Sequence, residues 1–472
     1  MKMPSLPLAL IPLLFLLLML ASNVFVFGDD ALSFSNQIAL ILSAGVAAII
    51  GKTQGAKNNQ LMEGVIQNIG QAVPALIVLL LIGSLSASWL ISGIVPAMIY
   101  YGLEILHPDW FLVSACIICA IVSIATGSSW GTIATVGIAL LGIGKAMGFS
   151  EGLIAGAIIS GAYFGDKMSP LSDTTNLAPA VSGTDLFTHI KYMTITTVPS
   201  FVITLILFAI IGWFYVTDYN VSNTEIINAA IEEKFNISLS LFLVPIIVVV
   251  LIIRKMPAAP ALGIGTLLGV LAAFVFQFDF ITSLSEQNDF WSLYAITMST
   301  LGQGISISSD NTMLSELLST SGMSGMLNTI WLIICAMVFG GVMSGARCLE
   351  AISKALLSFA SGRTSLIWTT AMSSIFMNLT ASDQYLAIVV PGKMYESAYK
   401  EQGLHPANLS RTLEDAGTVT SVLIPWNTCG ATQAGVLGVA TAVYWPFCFF
   451  CLISPFATLA VSAFNFRIKR LA

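Results

Sequence analysis

Apolar residues recur along the chain in long runs, separated by short polar connections, from its first residues to its last. A run of about 20 residues is long enough for a helix to cross the hydrocarbon core of a bilayer, which is about 30 Å thick. The pattern predicts an all-α polytopic membrane protein, with residues 1–472 forming one integral membrane domain. Unbroken crossing helices are predicted at about 7–28, 35–51, 72–93, 193–216, 237–253, 258–277, 326–345 and 443–465.

Two further apolar segments are split by small polar residues. Residues 110–147 are split at 127–131, and residues 364–398 are split at 380–382. Each segment is predicted to be a re-entrant hairpin that returns to the side of the membrane from which it entered. Non-helical backbone at membrane depth is tolerated only where it is buried in protein or lines a cavity. The tips are therefore expected to lie inside the protein.

Two more segments are predicted to be broken helices. Residues 150–181 break at Pro170 and residues 409–441 break at Pro425, because proline removes a backbone donor and clashes with the preceding turn. The total is ten crossings and two hairpins.

The two halves of the chain resemble each other. The hairpin tips and the proline breaks recur at nearly one offset, which indicates that residues 1–216 and 237–472 are repeats. Each half holds five crossings, and an odd number makes the repeats antiparallel. Inverted repeats with broken helices are typical of secondary transporters.

Charge orients this arrangement. Only 9% of the residues are charged and the mean hydropathy is +0.89, whereas a soluble domain carries about 25% charged residues. Cytoplasmic connections of membrane proteins are enriched in Lys and Arg. The connections predicted to be cytoplasmic carry Lys52, Lys57, Lys191, Arg254, Lys255, Arg347, Lys354, Arg363, Arg467, Lys469 and Arg470. The opposite connections carry Asp29, Asp30, Glu104, Asp109, Asp218, Glu225, Glu232, Glu233, Asp279, Glu286, Asp289 and Glu316. Both termini are expected to lie in the cytoplasm of a bacterium. Lys145 and Lys234 are exceptions to the charge rule, because they are predicted on the opposite side.

The first broken helix concentrates polar groups between apolar flanks. A charge at mid-membrane costs about 2.5–3.5 kcal/mol on insertion scales, so such a segment is expensive unless it has a use. Oxygen-rich clusters beside a helix break suit a hard cation, and Asp166 and Asp173 are its expected Na⁺ ligands. The further residues of this segment that are expected to take part in binding the ion are Ser169, Thr174, Thr175 and Asn176. The alternative is a solvated loop of Asx-type turns.

Three more groups of residues are candidates for the same site. After the second proline, Asn427 and Thr428 offer neutral oxygens. The hairpin tips offer Thr126, Ser128, Ser129, Thr380, Ser382 and Asp383, although small polar residues also serve as helix-interface contacts. Lys167 either forms a structural ion pair or exchanges its own proton. Asp415 is either a gate or relay carboxylate, or an acidic residue stabilised by the dipole at a helix N-terminus.

The seven cysteines include two pairs with CxxC spacing, Cys116 with Cys119 and Cys448 with Cys451. Each pair lies within an apolar helical run, so we interpret them as small helix residues rather than as a metal or redox site. No cofactor and no nucleic-acid partner are expected.

Several long motifs resemble those of the NhaC-type Na⁺/H⁺ antiporters. They are GDKMSPLSDTTNLAP at 165–179, WLISGIVPAMIYYGL at 89–103 and LEDAGTVTSVLIPWNTCGA at 413–431. The resemblance covers almost the entire chain. It implies exchange of Na⁺ or Li⁺ for H⁺ across the cytoplasmic membrane by alternating access. It also implies a homodimer in lipid, whose mobile domain contains both hairpins and both broken helices.

Other functions remain open at this point. The same family includes antiporters that exchange Na⁺ and lactate for malate and protons, and Lys167, Asn176 and Asn427 are the expected contacts for such a carboxylate. A Gly-Asp pair at 165–166 resembles part of the motif of intramembrane aspartyl proteases, but Tyr163 stands where that motif needs glycine. An ion channel is the third class. Repeats broken by proline favour alternating access, so we expect no enzymatic activity and no open pore.

Overall fold

A computed structural model of the protein describes residues 1–27, 34–214, 221–285, 289–307, 315 and 317–471. Five acidic residues that the predicted orientation places outside the cell fall beyond these ranges, namely Asp29, Asp30, Asp218, Glu286 and Glu316. The described part of the chain is almost entirely helical.

The helices follow one another with short connections. In the first half they are α1 Leu6–Phe27, α2 Ser35–Thr53, α3 Asn58–Ile91, α4 Ile94–Ile105, α5 Pro108–Thr126, α6 Ser129–Thr132, α7 Ile138–Ala146, α8 Glu151–Met168, α9 Asp173–Ser182, α10 Leu186–Phe214 and α11 Val221–Lys234. In the second half they are α12 Leu243–Ile253, α13 Ala258–Phe276, α14 Phe278–Ser283, α15 Phe290–Gln303, α16 Leu327–Gly345, α17 Cys348–Leu357, α18 Arg363–Thr380, α19 Gln384–Glu401, α20 Pro406–Leu413, α21 Thr428–Leu437, α22 Thr441–Tyr444 and α23 Phe449–Ala463. Two short strands, β1 Ile305–Ser306 and β2 Ser319–Thr320, pair antiparallel.

Within the described ranges, eight helices are long and apolar enough to cross a membrane, or up to ten if each of two bent pairs is one span. The bent pairs join α11 to α12 and α22 to α23. The prediction of an all-α polytopic membrane protein is therefore confirmed.

The structure also corrects several boundaries. The helix predicted at 72–93 begins about four turns earlier, at Asn58. The amphipathic stretch before residue 72 belongs to the same helix, α3. The connection at 278–325 contains α14, α15 and the two strands. Helices α4 and α17 had no counterpart in the prediction because they are only 12 and 10 residues long. Helices of that length are too short to cross a bilayer on their own.

In the structure the chain reverses at both predicted hairpin tips, and the helix is interrupted at both predicted breaks. The first hairpin reverses at Gly127, whose φ is 69°, and the second at Ser382, whose φ is 62°. The first broken helix stops at Met168 and resumes at Asp173. The second passes through a π-helical turn, Glu414–Thr418, before α21 starts at Thr428. Each arm of the first hairpin is long and apolar enough to cross a membrane, so its return to the same side stays a prediction.

The packing of α8 against α5 depends on glycine. A Cβ on Gly161 would lie 2.0 Å from the carbonyl oxygen of Cys116, and a Cβ on Gly165 would lie 2.4 Å from that of Ala120. Small residues at this spacing let membrane helices approach until their backbones touch. The close approach holds the last turn of α8 beside the tip of the first hairpin.

We predict that Gly161→Ala destabilises the protein, because its methyl group forces α5 and α8 apart. Overpacking of this kind costs on the order of 1–3 kcal/mol. Gly70→Ala is the matched control, since a Cβ on this exposed helical glycine meets nothing within 4 Å. The measurement is the midpoint of thermal unfolding in detergent. Equal midpoints for the two variants would contradict the close packing.

Candidate functional site

The two hairpin tips and the two helix breaks meet at one cavity of about 1140 Å³. Its wall also includes part of α3, residues 255–257 of the connection between α12 and α13, and the first two residues of α13. The predicted site residues among its lining are Thr126, Ser128, Ser129, Asp166, Asp173, Thr174, Asn176, Asp383 and Thr428. Polar residues that are distant in sequence are thus brought to one cavity.

Asp166 lies in the last turn of α8 and is almost completely buried. One carboxylate oxygen accepts hydrogen bonds from the backbone N–H of Ser129, at 3.2 Å, and from its hydroxyl, at 2.7 Å. Ser129 is the first residue of α6, where unpaired backbone donors stabilise a negative charge. At the same tip, the Ser128 side chain caps α6 by accepting from the N–H of Gly131 at 3.0 Å. The first hairpin tip therefore holds the first carboxylate.

The break between α8 and α9 exposes carbonyls that side chains satisfy. The Thr175 hydroxyl is within hydrogen-bond distance of the carbonyls of Asp166, at 3.2 Å, and Lys167, at 3.1 Å. The Ser169 hydroxyl donates to the carbonyl of Ile124 at 2.7 Å and so ties the break to α5. These two predicted residues face protein rather than the cavity. They support the shape of the site.

Asp173 begins α9, and its side chain is exposed to the cavity. Thr174 and Asn176 line the same wall. The Thr174 hydroxyl pairs with that of Ser172 at 3.2 Å, and the Asn176 amide donates to the carbonyls of Pro170 and Ser172 at 2.9 and 2.7 Å.

The second tip repeats this arrangement with the roles exchanged. Asp383 belongs to the tip and caps α19 by accepting from the N–H groups of Tyr385, at 2.9 Å, and Leu386, at 3.1 Å. Its other oxygen lies 3.4 Å from the hydroxyl of Thr428, at the start of α21. The Thr428 N–H donates to the carbonyl of Ser382 at 2.9 Å. In the first half the broken helix supplies the carboxylate and the tip supplies the hydroxyl, whereas in the second half the tip supplies the carboxylate.

The other predicted residues of the second half point away from the cavity. The Asn427 amide donates to the backbone carbonyl and the side-chain oxygen of Asn378, at 3.2 and 3.1 Å, and its oxygen caps α21 through the N–H of Cys429. The Thr380 hydroxyl donates to its own helix at Phe376. The Ser382 hydroxyl is buried without a hydrogen bond in the described part of the chain. Asn378, which the sequence did not single out, thus connects the second hairpin to the second break.

Lys167 and Asp415 form a fully buried ion pair. Lys167 also donates to Ser454 at 3.0 Å, and Asp415 accepts from Thr458 at 2.5 Å. Neither residue lines the cavity. Asp415 lies in the first turn of the π-helical segment Glu414–Thr418, directly after α20, so both interpretations of this residue stay predictions. The ion-pair alternative for Lys167 is present in the structure.

Comparison with known proteins assigns the chain to a family. The profile described as the Na⁺/H⁺ antiporter family matches residues 161–466, which hold both breaks and the second hairpin. The chain belongs to this family. Relatives named NhaC, at 40% and 33% identity, confirm the resemblance to the NhaC type that the sequence motifs indicate.

Several members of the Na⁺/H⁺ antiporter family are similar over most of their length. The Na⁺/H⁺ antiporter NhaC of Alkalihalophilus pseudofirmus is 40% identical over 89% of this chain and 88% of its own. The malate-2H⁺/Na⁺-lactate antiporter of Bacillus subtilis is 35% identical over 92% and 89%. A Na⁺/H⁺ antiporter of Haemophilus influenzae is 35% identical over 95% and 94%.

The described residues contain no group of three or more His, Cys, Asp and Glu side chains arranged to hold a metal ion. The seven cysteines are buried and free of disulfides. Both CxxC pairs lie within or beside apolar helices, Cys116 and Cys119 in α5 and Cys448 and Cys451 at the start of α23.

We predict that Asn378→Ala and Asn427→Ala destabilise the protein non-additively, because each change removes the same contact between hairpin and break. Loss of the α21 cap alone costs about 1 kcal/mol. Groups in one hydrogen-bond network show coupling energies of about 0.5–3 kcal/mol. A double-mutant cycle on the thermal midpoints tests this, and additive shifts would contradict it.

Proposed function

We propose that the protein is a secondary antiporter that exchanges Na⁺ for H⁺ by alternating access. The observation that carries the proposal is the cavity that Asp166, Asp173 and Asp383 line together. Asp166 accepts from the hydroxyl of Ser129, and Asp383 lies 3.4 Å from the hydroxyl of Thr428. Carboxylate, hydroxyl and carbonyl oxygens are the ligands that hard cations prefer. Membership of the Na⁺/H⁺ antiporter family supports the same substrate.

The exchange follows from competition at a carboxylate. A carboxylate in a dry site is costly as a free anion, so it binds either a proton or a cation. We assign Na⁺ to Asp166 and Asp173, with Thr174 and Asn176 as neighbouring oxygen donors. When Na⁺ binds, the proton leaves, and only the loaded forms cross between the two sides. Asp383 and Thr428 close the opposite wall of the site and form a second place for a cation.

The orientation is part of the proposal. The cavity reaches residues 255–257 of the connection between α12 and α13, where Lys255 is exposed. By the positive-inside rule this connection and both termini lie in the cytoplasm, which a reporter fused to the C-terminus would test. The structure then represents a state that faces the cytoplasm. We further propose inverted repeats at 1–216 and 237–472, and a homodimer with a mobile domain built from both hairpins and both broken helices.

A second candidate is exchange of Na⁺ and lactate for malate and protons. The observation in its favour is the size of the cavity, since about 1140 Å³ is far more than an ion needs. Of the three carboxylate contacts expected from the sequence, only Asn176 lines the cavity, because Lys167 and Asn427 are engaged elsewhere. The cationic contact available on this wall is Lys255.

We predict that Asp166→Asn and Asp173→Asn each reduce Na⁺-dependent proton movement by at least about tenfold, because an amide neither releases a proton nor offers a charge to Na⁺. The assay uses proteoliposomes with an internal pH dye, challenged in turn with Na⁺, Li⁺, K⁺, lactate and malate.

Asp279→Asn is the control, since Asp279 is an exposed carboxylate on α14 and is not among the residues that line the cavity. It should retain wild-type exchange. Wild-type exchange in both Asp166→Asn and Asp173→Asn would overturn the site. Proton movement that requires lactate or malate would replace the first proposal with the second.

A further inference from the structure

Four side chains that carry a charge in water are fully buried in one dry cluster beside the cavity: Lys167, Arg411, Glu414 and Asp415. None of them lines the cavity. Lys167 follows Asp166 directly in the last turn of α8, and successive residues of a helix point about 100° apart. Asp166 faces the first hairpin tip, so Lys167 points away from that tip and into the cluster. One turn of α8 therefore carries a carboxylate of the cavity on one side and a buried cation on the other.

The partner of Lys167 is Asp415, which lies 248 residues further along the chain. Asp415 belongs to the π-helical turn Glu414–Thr418 of the second broken helix. One of its oxygens binds the lysine ammonium and accepts from Ser454 at 3.3 Å, and the other accepts from Thr458 at 2.5 Å. The ammonium also donates to Ser454 at 3.0 Å. Ser454 and Thr458 are one turn apart on α23, so three elements that are distant in sequence meet at this ion pair.

Contacts within the first half of the chain hold the same turn of α8 from its other side. The Thr175 hydroxyl of α9 lies within hydrogen-bond distance of the carbonyls of Asp166 and Lys167. The Asp166 carboxylate accepts from the N–H and the hydroxyl of Ser129. The ion pair adds a charged contact to the second half of the chain. The turn that carries Asp166 is therefore fixed by both halves.

Stability alone does not account for a buried ion pair. Removing two charges from water costs about as much free energy as their attraction returns, and apolar replacements of such pairs are often as stable. Losing one partner is strongly destabilising, because the other charge then stays buried without a counter-ion. Such a pair therefore specifies one arrangement of the chain more than it adds stability. Here the arrangement that it specifies is the position of the turn that carries Asp166.

Arg411 is a second cation at the edge of this pair. Its Nε lies 3.8 Å from an oxygen of Asp415, and its guanidinium stacks over the ring of Tyr192, at 4.6 Å from the centroid. None of its three nitrogens donates a hydrogen bond within the described part of the chain. Lys167 is therefore the closer partner of Asp415. Glu414, three residues after Arg411, is a further carboxyl group beside this guanidinium.

Two other roles expected of Lys167 lack the contacts that they need. A carboxylate substrate in the cavity does not meet a side chain that is absent from its wall. The ammonium donates to Asp415 and Ser454, and neither of these residues lines the cavity. The described hydrogen bonds of Lys167 thus give its protons no connection to the cavity. They connect the lysine to the second break and to α23.

We propose that Lys167 and Asp415 are positioning residues for Na⁺ binding. Their ion pair fixes the last turn of α8 and so holds the Asp166 carboxylate at the distance from the first hairpin tip that Na⁺ requires. Neither residue contacts the ion, and neither releases a proton in this role. The inference rests on the proposed binding of Na⁺ at Asp166 and adds to it the contact that holds the ligand in place.

The test is equilibrium binding of ²²Na⁺ to the purified full-length protein at fixed pH. We expect Lys167→Met and Asp415→Asn each to raise the Kd for Na⁺ by about tenfold or more, as is typical when a residue that orients a metal ligand is lost. The number of sites per folded protein should not change. Lys400→Met is the matched control, because it breaks an exposed ion pair with Glu396 on α19, and it should keep the wild-type Kd.

Two further variants separate positioning from other roles. Because both residues act through one contact, the double variant Lys167→Met with Asp415→Asn should bind Na⁺ about as weakly as either single variant. Lys167→Arg keeps a cation beside Asp415 but does not release a proton, so its Kd should stay within about threefold of the wild type. Multiplied effects in the double variant would overturn the inference. So would loss of Na⁺ binding in a monodisperse Lys167→Arg protein, because the lysine itself would then be required.

A wild-type Kd in Lys167→Met would also overturn the inference, whether or not the number of sites falls, since a fall alone indicates a role in folding. A wild-type protein that binds no Na⁺ would instead refute the proposed function. If the charge variants do not fold, Thr458→Val decides, because it removes one hydrogen bond from Asp415 and leaves both charges paired. We expect its Kd to rise by about threefold or more. Thr204→Val is its control, since the buried Thr204 hydroxyl bonds its own helix, and equal Kd values for these two variants would contradict the positioning role.

Discussion

Backbone polar groups at membrane depth have no water to bind, and this constraint governs the centre of the molecule. Two hairpin tips and two helix breaks lie together at the cavity, so each interruption of a helix leaves backbone donors and acceptors to be satisfied. In each half of the chain, the hairpin tip forms hydrogen bonds with the helix break of the same half. Ser129 donates twice to Asp166, and the N–H of Thr428 donates to the carbonyl of Ser382. The contacts that stabilise the breaks also assemble the site.

The same contacts hold the carboxylates of Asp166 and Asp383 at the cavity. In both halves a carboxylate caps or meets the start of a helix, where the dipole favours a negative group. The Asp166 carboxylate accepts a hydrogen bond from the first residue of α6, and the Asp383 carboxylate accepts one from the first turn of α19. Lys167, the neighbour of Asp166, turns instead into the dry cluster with Asp415. One turn of α8 therefore connects the cavity to the buried charges.

Much of this arrangement was predictable from the sequence. Apolar runs locate the crossing helices, and prolines with small polar residues locate the breaks and tips. Nine of the predicted site residues line one cavity, because polar groups between apolar flanks have few other places to go. Side-chain direction was not predictable. Asn427 follows its proline as Asp173 follows Pro170, yet its amide serves the helix cap and Asn378. The partners of a buried side chain depend on packing between helices that are distant in sequence.

For Arg411 and Glu414, too, the sequence did not predict which partners the buried side chains contact. The cost of burying charge flags any ionisable residue in an apolar segment, and that signal was available for both. Glu414 stands directly before Asp415. The partners of Asp415 are Lys167 on α8 and Ser454 and Thr458 on α23, which only the packing of these helices brings to it. The two carboxylates are adjacent in the sequence, whereas in the described part of the chain Asp415 pairs with Lys167 and Glu414 has no hydrogen-bond partner.

The central claim is that Na⁺ and protons compete for carboxylates in one cavity. Equilibrium binding of ²²Na⁺ to the purified protein, measured as a function of pH, tests it most directly. Competition with a single proton lowers the apparent Na⁺ affinity by about tenfold for each pH unit below the pKa of the carboxyl group. Protons should be released into weakly buffered solution as Na⁺ binds. A Na⁺ affinity that does not change with pH, without proton release, would contradict the account.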